Sequence, residues 1–270
     1  MNKKVLKVIA GLAAGILIVG LSLFANAFLG NPVSYLLAKN CAEQNLTAHY
    51  ADQGYVLQSL DYNFKDGCYY AFAAVPGSQD RHFEMRVSMT GELRSDSYSA
   101  DVEGGQNTFL RLDKEYRERT KAVLDSNEMS FHPSSGFGTL KTDETPEWWQ
   151  NGVLKPDEEY DVQALGAQYG IITVGVGEQD ITVERAAEIL LQAKAAMTQR
   201  GVPFHAISLN LHQPWKEDSV SPEDIEGMTW ENLKTLDIQL FPSDEIYEEG
   251  LTDRISAVAE LQNGSVPDPS

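Results

Sequence analysis

The sequence predicts an α+β protein: an N-terminal transmembrane helix, then a helix plus antiparallel-sheet domain, and a second two-layer α/β sandwich domain. Three observations predict it. Residues 8–29 run without a charge behind Lys3, Lys4 and Lys7. Residues 55–98 form short β-prone runs punctuated by Asp66-Gly67, Pro76-Gly77 and Gly91, as in an antiparallel meander. Beyond residue 160, β-rich runs flank a stretch of helical period, which suits helices layered on a sheet.

At about 1.5 Å per residue the uncharged run makes a helix of roughly 33 Å, close to the thickness of a bilayer's hydrocarbon core. The preceding lysines place the N-terminus in the cytoplasm and the bulk outside, as a single-pass cell-membrane protein. Ala25-Asn26-Ala27 has the form of a signal-peptidase site, and cleavage after Ala27 would give a secreted protein. Apolar character continues through Phe28 and Leu29, which favours an uncleaved signal-anchor. The expected division is a cytoplasmic tip and anchor at 1–30, an N-terminal α+β domain at 31–126 and a connector at 127–156. A C-terminal α/β domain at 157–263 and a disordered tail at 264–270 complete it.

In the first domain, Pro32 opens a helix over 32–50 whose apolar face is Leu36, Leu37, Cys41 and Leu46. Strands are expected at 55–64, 68–75, 81–89 and 93–98, the first two joined by the Asp66-Gly67 hairpin. A helix over 107–124 turns Leu110, Tyr116, Val123 and Leu124 inward. Its Arg111, Lys114, Arg117, Arg119 and Lys121 are interleaved with Asp113, Glu115 and Glu118. They read as a solvated face of i,i+4 pairs in preference to a basic surface for anionic headgroups.

The connector holds a short strand near 129–131 and the pair Trp148-Trp149. These tryptophans either form a sugar or lipid platform or cap the inter-domain core, and the cap is favoured because tryptophan usually works as buried area. In the second domain a β-rich run at 166–176 is followed by a helix over 183–199, capped by Thr182. A strand at 204–211 and an acidic loop through Trp215, Pro222 and Trp230 come next, with a helical turn at 222–228. A strand at 236–241 and a last helix ending at 261, with Ile255, Val258 and Leu261 inward, close the domain.

The chemistry-bearing residues exclude more than they propose. A net charge of -19 would repel nucleic-acid phosphates, so no nucleic acid is expected as partner. Cys41 and Cys68 either bridge in an oxidising compartment or stand as two free thiols. Glycines 166, 170, 175 and 177 match neither the lysine-bearing nucleotide loop nor the dinucleotide fingerprint. His205 and His212 fall on opposite faces of an ideal strand, and His49, His82 and His132 are isolated. The carboxylates at Asp143, Glu144 and Glu147, at Asp157, Glu158, Glu159 and Asp161, and at Glu217, Asp218, Glu223, Asp224 and Glu226 lack the EF-hand order. Ser134-Ser135-Gly136 lacks the strand-turn-helix of a nucleophile elbow. No catalytic residue, metal ligand or cofactor is assigned.

The GNP helix start, YNFKDGCYY, DRHFEMRVSMTGELRSDSY and LDKEYRERTKAVL together resemble the YfjL-like family of small envelope proteins of Gram-positive bacteria. The second half looks like that family's C-terminal domain. The resemblance implies a membrane-anchored or secreted protein without an established activity, and it carries over no site residues. The leading expectation is a membrane-tethered extracellular protein that binds a protein or cell-wall component of the envelope without catalysis. The alternatives are a sensor of a small ligand, peptide or glycan, using the open sheet face or Trp148 and Trp149, and a hydrolase with a dispersed site.

Overall fold

Small side chains, not leucines, dock the first long helix of the globular part on its sheet. The computed structural model describes residues 3–126, 129–140, 148–150, 152–179, 181–213 and 235–262, apart from the side chains of 3–6, 8, 10, 23, 25–29 and 260–262. The side chains of Ala25, Asn26 and Ala27 lie outside the described residues. So do Asp143, Glu144 and Glu147, the loop with Trp215, Pro222 and Trp230 with its acidic residues and expected turn, and the tail.

Helix α1 spans Lys3–Leu29. The expected transmembrane anchor is corrected: among the described residues, no helix is long and apolar enough to cross a membrane. Membrane tethering, the single-pass extracellular location, secretion by cleavage and an envelope partner reached through the anchor all lose their support with it.

Helix α2 (Pro32–Tyr50) begins with a reciprocal cap. The Asn31 side chain accepts from the Ser34 N–H, and the Ser34 hydroxyl accepts from the Asn31 N–H. Its buried residues are Ser34, Ala38, Ala42 and Leu46, a row at i,i+4. Leu36 and Leu37, expected inward, are exposed, because the short side chains of that other row let the helix approach the sheet closely.

That sheet is the expected antiparallel meander: β1 (Val56–Asn63), β2 (Cys68–Ala74), β3 (His82–Ser88) and β4 (Leu93–Asp96), in the order β1-β2-β3-β4. Alternation sends Tyr69, Ala71, Ala73, Phe83, Met85 and Val87 under α2. Tyr70, Phe72, Glu84 and Arg86 stand on the opposite face.

After a π turn at Ser99–Glu103, helix α3 spans Gln106–Leu124. Its buried stripe is Phe109, Leu112, Tyr116, Thr120, Val123 and Leu124, while Leu110, expected inward, is 51% exposed. The basic face carries the expected i,i+4 pairs: Lys114–Glu118, Arg117–Asp113, Arg119–Glu115 and Lys121–Asp125. The three exposed pairs are worth little individually; Asp113 is buried and also accepts from the Thr139 hydroxyl and the Leu140 N–H.

The chain divides into two units, residues 1–109 with 149–158, and residues 110–148 with 159–270. The division falls inside α3, and a piece of the expected connector belongs to the first unit. There Trp149 stacks on Phe109 at 3.8 Å and 15°. The Asp157 carboxylate accepts from the Ser78 hydroxyl and from the N–H groups of Gln79 and Asp80. The Asp157 N–H returns a bond to the Asp80 carboxylate at 2.9 Å.

The second unit holds a sheet in the order β5-β6-β7-β8-β9. Its strands are β5 (Ser135–Thr139), β6 (Ile171–Gly177), β7 (Ala206–His212), β8 (Thr235–Pro242) and β9 (Glu260–Gln262). Helix α5 (Val183–Gln199), capped by Thr182, connects β6 to β7, which pair in parallel; the other pairs are antiparallel.

Three expectations are corrected here. The strand expected at 129–131 lies at β5, where Gly136 and Gly138 let α3 pack against it: a Cβ there would meet Leu124 at 2.8 Å and Thr120 at 2.5 Å. The run from 166 starts as helix α4 (Val162–Tyr169), because the Asp161 carboxylate caps it through the N–H groups of Gln163 and Ala164. The last helix, α6 (Leu251–Val258), stops early; Val258 is exposed and β9 follows.

Candidate functional site: a tyrosine pocket at the start of the second helix

The hairpin register builds the site. The tight turn after β1 brings Tyr62 directly opposite Tyr69 on β2, on the face that α2 covers. Their rings lie 5.1 Å apart, inclined by 48°. Tyr35, in the first turn of α2, meets Tyr69 edge-on at 6.2 Å and 74°. Between these rings, the Gly30-Asn31-Pro32 bend and the edge strand β1 at Leu60 and Asp61 lies a cavity of about 370 Å³. Every one of these residues belongs to the first unit.

Each part of the wall has a cause. The Tyr69 hydroxyl hydrogen-bonds the Ser34 hydroxyl at 2.8 Å and donates to the Asn31 carbonyl at 3.3 Å, which pins its ring as the floor. The Tyr62 hydroxyl donates to the Met89 sulfur at 3.6 Å. Gly30 has φ +68, and a Cβ there would stand 2.6 Å from the Tyr69 hydroxyl and 3.2 Å from the Tyr62 ring, so the bend needs glycine for both conformation and space. Tyr69 is 2% exposed and Tyr35 41%, so the pocket has a fixed floor and an accessible lip. The lining reaches one acidic residue, the exposed Asp61, whose register partner Tyr70 places its carboxylate on the other face of the sheet, and no ion pair to it forms among the described residues.

A second concavity, of about 280 Å³, lies in the second unit between the last turns of α3 and the turn after α5, lined by Arg119, Ala122, Gln163, Arg200 and Val202. Its Arg119 guanidinium is held by Glu115 at 2.5 Å. The tyrosine pocket has the more distinctive chemistry, and sequence reasoning missed it. Its signal was available: with residues 63 and 68 closing the hairpin, 62 and 69 must face each other.

Family models described as the YfjL-like N-terminal domain and the YfjL-like C-terminal domain match residues 4–97 and 115–256, the second alone more than half of the 270 residues. The chain belongs to the YfjL-like family. The expected resemblance therefore holds for the family, without the membrane-anchored description attached to it, since among the described residues no helix can span. No curated protein matches the chain. No solved structure matches it either.

In this YfjL-like protein the residues singled out from the sequence are dispersed. Trp148 stacks on Tyr169 at 4.1 Å and donates its indole N–H to the Leu140 carbonyl at 2.9 Å. Trp149 is buried against Phe109. Cys41 and Cys68 are both free thiols, and burial pushes the Cys41 thiol above its ordinary value. Glycines 166 and 170 make room for Tyr116, whose hydroxyl donates to the Pro203 carbonyl at 3.1 Å; a Cβ at Gly166 would come within 2.6 Å of the ring. Burial, with Asp113 as the lesser cause, holds the Tyr116 hydroxyl far above the usual tyrosine range. The His205 side chain is exposed just before β7, and His212 ends that strand. Among the described residues no group of three or more His, Cys, Asp or Glu is placed to hold a metal ion.

Proposed function

We propose that this YfjL-like protein binds a small organic ligand, without catalysis, in the tyrosine pocket of its first unit. The observation that carries the reading is the cavity of about 370 Å³ walled by Tyr35, Tyr62 and Tyr69. A few hundred cubic ångströms with aromatic walls and a few polar groups is the size and character of a small-molecule site. The hydroxyls of Tyr62 and Tyr69 are engaged in hydrogen bonds, so these residues offer ring surface instead of reactive oxygen. A pre-fixed floor also lowers the cost of ordering the site when a ligand enters.

The test is a fragment screen read on the tyrosine ring resonances of the full chain. Bound fragments should move the signals of Tyr35, Tyr62 and Tyr69 together and leave those of Tyr50, Tyr55 and Tyr98 in place. Tyr35→Ala should weaken such binding by about tenfold, the scale expected for one lost aromatic wall. A screen in which no fragment perturbs the three rings, in a protein that is folded, removes the proposal.

A further inference from the structure

We infer that the ligand of the tyrosine pocket is an organic cation carrying an ammonium group. The inference rests on the small-ligand reading of that pocket and deepens it by naming the chemical class.

Four observations converge. The ring faces are inclined to one another, 48° between Tyr62 and Tyr69 and 74° between Tyr35 and Tyr69. They are walls of a corner and not a flat stack, so one guest can meet more than one ring. The electron-rich face of a tyrosine attracts a cation, and several such faces around one guest are how proteins hold ammonium groups. The hydroxyls of Tyr62 and Tyr69 are tied to Met89 and Ser34, which fixes how those two rings are turned.

The charges agree with the rings. The lining contains no Lys, Arg or His, and its one acidic residue, Asp61, pairs with Tyr70 and so carries its carboxylate on the far face of edge strand β1. An anionic guest would therefore find no cationic side chain in the lining to receive it. At longer range a chain of net charge -19 raises the local concentration of cations. The positive end of α2 is the opposing influence. It is muted, because Pro32 has no N–H, the Asn31 side chain takes the Ser34 N–H, and the Asn31 carbonyl takes the Tyr35 N–H.

The experiment compares choline with its uncharged isostere 3,3-dimethylbutan-1-ol on the full chain by calorimetry, with tyrosine ring resonances locating the site. Choline should bind about tenfold more tightly than the isostere. Tyr35→Phe should retain choline binding and Tyr35→Ala should weaken it about tenfold. Phosphocholine separates a free cation from a phosphate-bearing one: with no Lys, Arg or His in the lining to receive the phosphate, it should bind more weakly than choline.

Equal affinity for choline and the isostere, with both shifting the three rings, would overturn the cation assignment while leaving the pocket a small-ligand site. Tighter binding of phosphocholine than of choline would also overturn it. Binding of neither probe would overturn the assignment, and the fragment screen then decides separately whether the small-ligand reading falls too.

Discussion

The two ends of α2 are built from the same residue types and finish in opposite states. At its C-terminal end Tyr50 lies 4.6 Å from Tyr98, 5.0 Å from Phe83 and 5.7 Å from Tyr55, ring centre to ring centre. Phe83 in turn meets Tyr55 at 5.1 Å edge-on, and the Arg81 guanidinium sits 5.5 Å over Tyr55. At the N-terminal end three tyrosines surround a cavity. The difference is not aromatic content but what completes the cluster. At the closed end a phenylalanine from the inner strand β3 fills the centre. At the open end the corresponding place is taken by the Gly30 bend and by the edge strand β1, beyond which the sheet offers no further side chain. An aromatic cluster becomes core where a sheet interior backs it and becomes a pocket where the sheet stops.

The contrast can be broken from either side. Phe83 is 1% exposed at the centre of the closed cluster, so Phe83→Ala should cost about 3–5 kcal/mol of stability, measured by urea unfolding. A loss below about 1 kcal/mol would mean that the closed end is not packed as core. At the open end the largest effect should come from Ser34→Ala, which removes one half of the cap and the partner of the Tyr69 hydroxyl. About 1–2 kcal/mol is expected. Tyr35→Ala, at the exposed lip, should cost under about 1 kcal/mol while weakening ligand binding about tenfold. Weaker binding with stability retained is what separates a lining residue from a core residue.

Much of the first unit was legible in the sequence, because its signals are local. Pro32 fixes a helix start, Asp66-Gly67 fixes a hairpin, and β2 and β3 alternate between the two faces of the sheet. The second unit was less legible where glycine carried the packing. Gly136 and Gly138 lie in the stretch expected to be a connector, yet they sit in β5, where α3 packs into the space of their missing side chains. Gly166 and Gly170 fall in a run expected to be a strand, while in the fold they clear the space for Tyr116, a residue some fifty positions away. Periodicity does not report such contacts. The choice of helix face in α2 failed for a related reason: hydrophobicity favoured Leu36 and Leu37, whereas close approach favoured Ser34, Ala38 and Ala42. The pocket itself needs both kinds of information, register from the hairpin and close approach at Gly30.

Alkaline titration offers the mildest test of the closed end. Burial, reinforced by Asp96 and the neighbouring tyrosines, pushes the Tyr50 hydroxyl from its ordinary value near 10 up to about 12. Burial also raises Tyr55, though Arg81 pulls it back in part. Below pH 10 the hydroxyl is protonated in the folded and unfolded chains alike, and its contribution is fully present. Between about pH 10 and about 12 the unfolded chain has released this proton and the folded one retains it. The unfolded state then binds fewer protons, so stability falls as pH rises through that window. Tyr50→Phe keeps the ring contacts and removes the titrating group. It should leave the melting temperature at pH 7 within a few degrees of the parent and make the fall between pH 10 and 12 shallower. Tyrosinate absorbance should show one late-titrating group fewer. Parallel alkaline falls in parent and variant would mean that the hydroxyl of Tyr50 is already in water, and the end of α2 described as closed would be open after all.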